Sequence, residues 1–229
     1  MLLHSLFDLL AVLIGVLVYV RLPMPAGVAV AQPLRLDPLY PLALAAGALA
    51  GAYLFGSLNA WLSGAPGIGR SIEGALAGAI LAVEVLKGRR GIVGSTGLRF
   101  AAPLAAAIAV GRIGCFLAGL QDMTHGTPTD LPWGHDFGDG VARHPVQLYE
   151  SGAMAAFLAV FAVMLHRRHP LAVKAGFHLF VGIYAGQRFI WEFLKPYGTV
   201  LGPFNLFHLL SIALVIYAVL FARKELQRA

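Results

Sequence analysis

Seven apolar stretches, each near the length that crosses a bilayer, constrain this chain more than any other feature. A helical span needs roughly 20 mostly apolar residues. The stretches fall near Leu6–Val20, Pro41–Leu62, Ser71–Leu86, Phe100–Leu120, Pro145–Leu165, Gly176–Leu194 and Leu206–Ala222. Charged residues are 12% of the chain, about half the share of a soluble domain. The pattern predicts an all-α membrane protein: a seven-transmembrane-helix bundle forming a single polytopic domain over residues 1–229. The first stretch lacks a basic leader and a small-residue cleavage site, so it reads as a span rather than a signal peptide. The 23–38 connection carries Pro23, Pro25, Pro33 and Pro38 and is expected to be irregular.

The 17 basic residues set the orientation. Twelve of them lie in the loops after the first, third and fifth stretches or at the C-terminus. Positive charge collects on the cytoplasmic side, so the C-terminus is expected there and the N-terminus outside. The same clustering explains the net charge of +6 without a nucleic-acid partner. The lone cysteine, Cys115, excludes an intrachain disulfide. Glycines 47, 51, 74, 78, 111 and 114 crowd the second, third and fourth stretches. Small residues let helices approach closely in lipid, which predicts that these three helices form the centre of the bundle.

One segment breaks the apolar pattern. Gly111–Glu150 reads GRIGCFLAGLQDMTHGTPTDLPWGHDFGDGVARHPVQLYE. It places a polar, Gly- and Pro-rich loop over 121–143, predicted to face outward, with Arg112 and Glu150 just inside the flanking helices. Ionisable groups at membrane depth are costly and mark function. A second polar run, GIYAGQRFIWEFLKP, puts Tyr184, Arg188, Glu192 and Lys195 at i, i+4, i+8 and i+11, along one helix face. Arg188 and Glu192 are spaced to pair. Such a pair serves either as structural glue or as part of a polar stripe facing a cavity. Arg112, Arg143 and Arg188 on one side of the bundle suit a phosphate clamp, because a guanidinium grips phosphate oxygens in a bidentate fork. His125, His135, Asp136, Asp139 and His144 follow no standard zinc or calcium spacing. No metal and no cofactor is therefore expected. Trp133 reads as an interface anchor.

The strings GRIGCF, LPWG, RHPVQLYE and YAGQRFIWEFLK resemble the bacterial prolipoprotein diacylglyceryl transferases over roughly residues 70–196. The resemblance implies a seven-helix protein of the bacterial plasma (inner) membrane. It also implies transfer of diacylglyceryl from phosphatidylglycerol to the lipobox cysteine of a prolipoprotein signal peptide. By motif match, Arg112, Arg188 and Glu192 stand where that family has functional residues, and Gly126 stands where it has a loop glycine. Three positions depart from the pattern. The third helix begins SIEGALAG where the family has a string like SFHGGLIG, so Glu73 takes the place of a candidate catalytic His. Cys115 replaces an Asn. The first helix reads HSLFDLL, with Phe7 nearest to where the family carries a Tyr.

The reaction itself demands a base for the nucleophile and cations for the departing phosphate. Glu73 is the favoured base, with a structural ion pair as its other reading. His144 is the competing base, or else orders the loop before Pro145. Glu150 is expected to orient Arg143 or the loop. Cys115 is either a nucleophile or a small apolar filler. Tyr184 and Lys195 complete the expected substrate-binding set, and a monomer is expected. A lipid-binding or lipid-transport protein without transferase activity, or a transferase with another acceptor, would share most of these features.

Overall fold

A computed structural model describes residues 2–24, 38–64 and 67–228. Seven α-helices are described: α1 Leu2–Arg21, α2 Leu39–Leu62, α3 Ile72–Arg90, α4 Leu98–Ala118, α5 Val146–His166, α6 Pro170–Glu192 and α7 Leu206–Gln227. A 3-10 turn, Gly119–Asp122, extends α4. Two short hairpins decorate one end: β1 His135–Asp136 with β2 Ala142–Arg143, and β3 Thr199–Leu201 with β4 Phe204–Asn205. The proline-rich connection expected to be irregular lies almost wholly outside the described residues.

Among the described residues, five helices are long and apolar enough to cross a membrane: α1, α2, α5 and α7, and α4 continued through the 3-10 turn. This is a multi-pass membrane protein. The remaining two, α3 and α6, are as long but carry the buried charges Glu73, Lys87, Arg188 and Glu192. Charge at membrane depth is sheltered by the protein rather than offered to lipid.

Glycine does bring α2 and α3 together, but not at the centre of the bundle. A Cβ on Gly51 would run into the Gly74 carbonyl and meet Gly78 Cα at 3.0 Å. The approach is close enough for the Ser71 amide to donate to the Ala52 carbonyl at 3.1 Å. Ser71 then caps α3 by accepting from the Gly74 amide at 3.0 Å. This fixes the first turn of α3, and with it Glu73. The outer side of α2 remains exposed. The buried centre is α4, packed by α1, α5 and α6, with α7 against α6. The reason is the side-chain pattern. Close pairing through glycine needs only one face, whereas Ala101, Ala102 and Ala105 of α4 are buried in one apolar core together with large rings of its neighbours. Phe157 and Phe161 of α5 stack with centroids 5.2 Å apart, and Phe180 of α6 lies 5.8 Å from Phe157. In lipid such packing, rather than hydrophobic transfer, holds helices together.

The start of α6 also differs from expectation. His169 caps a helix that begins at Pro170, six residues before the expected Gly176. Ala175 is non-helical (φ −120°, ψ 19°), so the expected start coincides with a kink. Helix α7 opens with a capping box: Asn205 accepts from the His208 amide at 3.0 Å, and His208 Nδ1 accepts from the Asn205 amide at 3.1 Å.

Candidate functional site: a buried ion network beside the signature loop

The first turns of α3, α5 and α7 and the last turns of α4 and α6 converge at the end of the bundle that carries the 121–143 loop. There Glu150 of α5, fully buried, sits among three cations. Its carboxylate pairs with Arg112 Nε of α4, with Arg188 Nη1 of α6, and with Lys195 Nζ at 2.7 Å. Arg188 reaches onward to Glu192 at 2.5 Å and to Glu73 of α3 at 3.5 Å. Lys195 lies 3.6 Å from Glu192. Three carboxylates thus meet three cations, and all six side chains are at most 6% exposed. Equal numbers matter, because an uncompensated ion in a low-dielectric interior costs several kcal/mol.

Neutral groups hold the acids in place. Ser211 Oγ of α7 donates to Glu73 at 2.5 Å, and Asn205 Nδ2 donates to Glu192 at 3.0 Å. The capping residue of α7 therefore orients an acid of α6. The Phe207 ring lies 5.4 Å from the Arg188 guanidinium carbon, within cation–π range. Tyr184, also fully buried, stands one turn before Arg188, and its hydroxyl has no hydrogen-bond partner among the described residues. Arg112 Nη1 points toward Cys115 Sγ at 3.9 Å.

The predicted helix-6 stripe is thus a real buried face, and the Arg188–Glu192 pair forms as spaced. Other expectations change. The expected three-arginine cluster is two arginines and a lysine. Arg143 instead makes a two-pronged pair with Asp139, Nη1 and Nη2 each 2.7 Å from a carboxylate oxygen. The β1–β2 hairpin puts these two side chains four residues apart on the exposed loop, so Arg143 has a nearer partner than Glu150. The hydrogen bond from Arg143 holds the Asp139 carboxyl below its ordinary pKa. Glu150 accordingly orients Arg112, Arg188 and Lys195, not Arg143.

The loop is ordered by its own acids and backbone. Asp136 Oδ1 accepts from the amides of Gly138, Asp139 and Gly140 at 2.8, 3.1 and 3.0 Å. His135 packs between the rings of Phe116 and Phe137, 4.7 Å from each. Trp133 is exposed and donates to the Tyr149 hydroxyl at 2.8 Å. Gly126 is needed for a close crossing: a Cβ there would meet the His144 carbonyl at 2.5 Å and His144 Cβ at 2.6 Å. The Gly126 amide donates to that carbonyl at 3.1 Å, and the Thr127 amide donates to Leu194 at 2.6 Å. Backbone bonds of His144 therefore tie the loop to itself, and Thr127 ties it to the end of α6. The His144 ring makes no ion pair with the network among the described residues; its Nδ1 is buried without a hydrogen-bond partner.

Ser211, Asn205 and His208 escaped the sequence reading. Their signal was available: three polar residues spaced by three at the start of an otherwise apolar helix, hence on one face.

A multi-pass bundle with a charge-balanced ion network under an ordered loop is a membrane protein built around an interior polar site. The chain belongs to the prolipoprotein diacylglyceryl transferase family, whose model matches residues 4–223. A phosphatidylglycerol–prolipoprotein diacylglyceryl transferase of Geobacter sulfurreducens is 32% identical over 219 residues, covering 87% of this chain and 82% of that relative. One of Solidesulfovibrio magneticus is 34% identical over 216 residues, covering 84% and 78%. A shorter match, to the enzyme so named of Cupriavidus pinatubonensis, is 38% identical over 99 residues and spans 42% of this chain and 34% of that relative. No solved structure matches.

Proposed function

We propose that this protein transfers a diacylglyceryl group from phosphatidylglycerol to the lipobox cysteine of a prolipoprotein, at the outer face of the bacterial plasma membrane. The observation that carries the reading is the buried Arg112–Glu150–Arg188 arrangement in a chain of this family. In the reaction the thiol sulfur forms a bond to the glyceryl carbon. The carbon–oxygen bond to phosphate breaks, and its electron pair leaves on glycerol phosphate. The thiol proton passes to a base.

Arg112 and Arg188, with Lys195 beside them, supply the cations for the departing phosphate. Arg112 suits direct contact best: of its five N–H groups, one faces Glu150 and one faces Cys115. Glu150, Glu192 and Tyr184 position these cations. Preorganised donors in a dry site are worth far more than in water. Glu73 is the base, and Ser211 aims its carboxylate. His144 remains the alternative base, and Gly126 keeps the loop against α5 and α6.

In this reading all seven helices of one domain cross the membrane, the chain acts as a monomer, and the 121–143 loop faces outward. A reporter fused at the C-terminus should then read cytoplasmic and one inserted near Thr127 external. An external C-terminus would reverse the placement of the site.

The functional test is incubation of purified protein with radiolabelled phosphatidylglycerol and a lipobox peptide. The reading predicts label on the peptide thiol and equimolar glycerol phosphate. Lipid binding without either product would leave a lipid-binding protein, and release without peptide labelling would point to a different acceptor.

A further inference from the structure

A second polar cluster lies at the outer edge of this end of the bundle, where the first turn of α1 meets the end of α4. His4, Cys115 and Asp122 offer one donor atom each, all within 4.8 Å of one another. His4 Nε2 stands 3.7 Å from Cys115 Sγ and 3.4 Å from Asp122 Oδ1. These spacings have a specific meaning. With zinc–sulfur near 2.3 Å and zinc–nitrogen or zinc–oxygen near 2.0–2.2 Å, a tetrahedral ion sets its nitrogen and sulfur ligands about 3.6 Å apart and its nitrogen and oxygen ligands about 3.4 Å apart. The two edges at His4 agree with those values to about 0.1 Å.

The donors also carry the support such a site needs. Thr124 Oγ1 donates to the other oxygen of Asp122 at 2.5 Å, which fixes the carboxylate and leaves Oδ1 facing His4. Cys115 is buried, and the His4 and Asp122 side chains are 22% and 12% exposed, so the cluster is sheltered yet open to an ion arriving from solvent. Asp8, one turn after His4, places Oδ1 3.8 Å from the same His4 nitrogen, in reach of a fourth position. The nearby positive charge of Arg112 is already matched by Glu150. Its Nη1 can donate to a ligating sulfur from behind, as hydrogen bonds to metal thiolates do.

We infer that His4, Cys115 and Asp122 form a binding site for a divalent transition metal of the zinc type. Nitrogen, sulfur and carboxylate donors in one tetrahedral set select that class over magnesium or calcium, which take oxygen ligands. The ion would clasp the first turn of α1 to the end of α4, three residues beyond Arg112. The site is separate from His125, His135, Asp136, Asp139 and His144, and of these Asp136 and Asp139 are engaged in loop hydrogen bonds.

The test is titration of the purified full chain with Co²⁺ as a spectroscopic stand-in for zinc. The inference predicts one Co²⁺ per chain, intense tetrahedral d–d absorption, and a sulfur-to-cobalt charge-transfer band that Zn²⁺ erases by competition. The charge-transfer band should vanish in Cys115→Ser. In His4→Gln both the band and the tetrahedral absorption should be lost. Thr124→Val should weaken Co²⁺ roughly 10- to 100-fold, the usual effect of removing an outer-shell partner. Asp139→Asn, on the exposed hairpin, should change nothing. Absence of the sulfur band in the unaltered chain, or a band unaffected by His4→Gln, would overturn the site. Every readout is metal absorption, so its failure is distinguishable from failure of the transferase reading.

Discussion

Arg188→Ala should lose transfer and much of the folded bundle end together. Arg188 is the residue that touches all three buried acids: Glu73, Glu150 and Glu192. Its removal leaves three carboxylates facing Arg112 and Lys195 alone. Breaking a buried pair costs about 3–5 kcal/mol, because the stranded partner remains desolvated. Loss of a cation aimed at developing charge adds a rate penalty of about 10²–10³. The expected result is a markedly lower unfolding midpoint in detergent and no measurable transfer. Arg188→Lys should recover stability in part but activity poorly, since an ammonium cannot span three acids as a planar fork does. Combining Arg188→Ala with Glu73→Gln removes one stranded charge and should return part of the lost stability. If the double variant is no more stable than the single, the charge balance of the network is not what holds this end together.

The second large effect belongs to Glu73, which stands in the SIEGALAG string at the start of α3. An ordinary thiol titrates near 8.5 and needs a base to react at neutral pH. Glu73→Gln keeps the shape and the Ser211 contact but cannot accept a proton. As the base is lost, single-turnover transfer should fall on the order of a hundredfold or more, with donor affinity nearly unchanged. Glu73→His should keep much of the activity, because imidazole can also take the proton. A different outcome follows if Glu73 serves only as the partner of Arg188. Glu73→Gln would then lower the unfolding midpoint and weaken the donor while the pH profile kept its shape. An unchanged rate and pH profile would remove Glu73 from the mechanism and transfer the role to His144.

Helix positions were legible because each helix is a long, mostly apolar run bounded by polar or Gly- and Pro-rich residues, which can be read one run at a time. The expected and observed bounds differ by six residues or fewer at each end of α1 through α7. The pairing of Arg188 with Glu192 was legible for the same local reason, a spacing of four on one helix. What the sequence hid is long-range choice among charges. Glu150 faces Arg112, Arg188 and Lys195, between 38 and 45 residues away, while the nearer Arg143 is taken by Asp139. Nothing local distinguishes those alternatives; the approach of α5 to α4 and α6 decides them. The Ser211–Glu73 contact spans 138 residues and depends on how α3 meets α7. Of the three glycine-rich helices expected at the centre, α4 is there and α2 and α3 are not, because glycine content reports how closely two helices approach, not how many neighbours surround them.

Arg112 is the residue on which the phosphate clamp stands or falls, because it carries the clamp without being the hub of the network. Transfer of labelled diacylglyceryl to a lipobox peptide, with glycerol phosphate release measured in parallel, should be compared for the unaltered protein and Arg112→Ala under single-turnover conditions. The unaltered protein should yield both products in equal amounts, and Arg112→Ala should lose at least a hundredfold in both. Turnover by Arg112→Ala at the unaltered rate would contradict the clamp and with it the assignment of this buried site as the place where the phosphate departs.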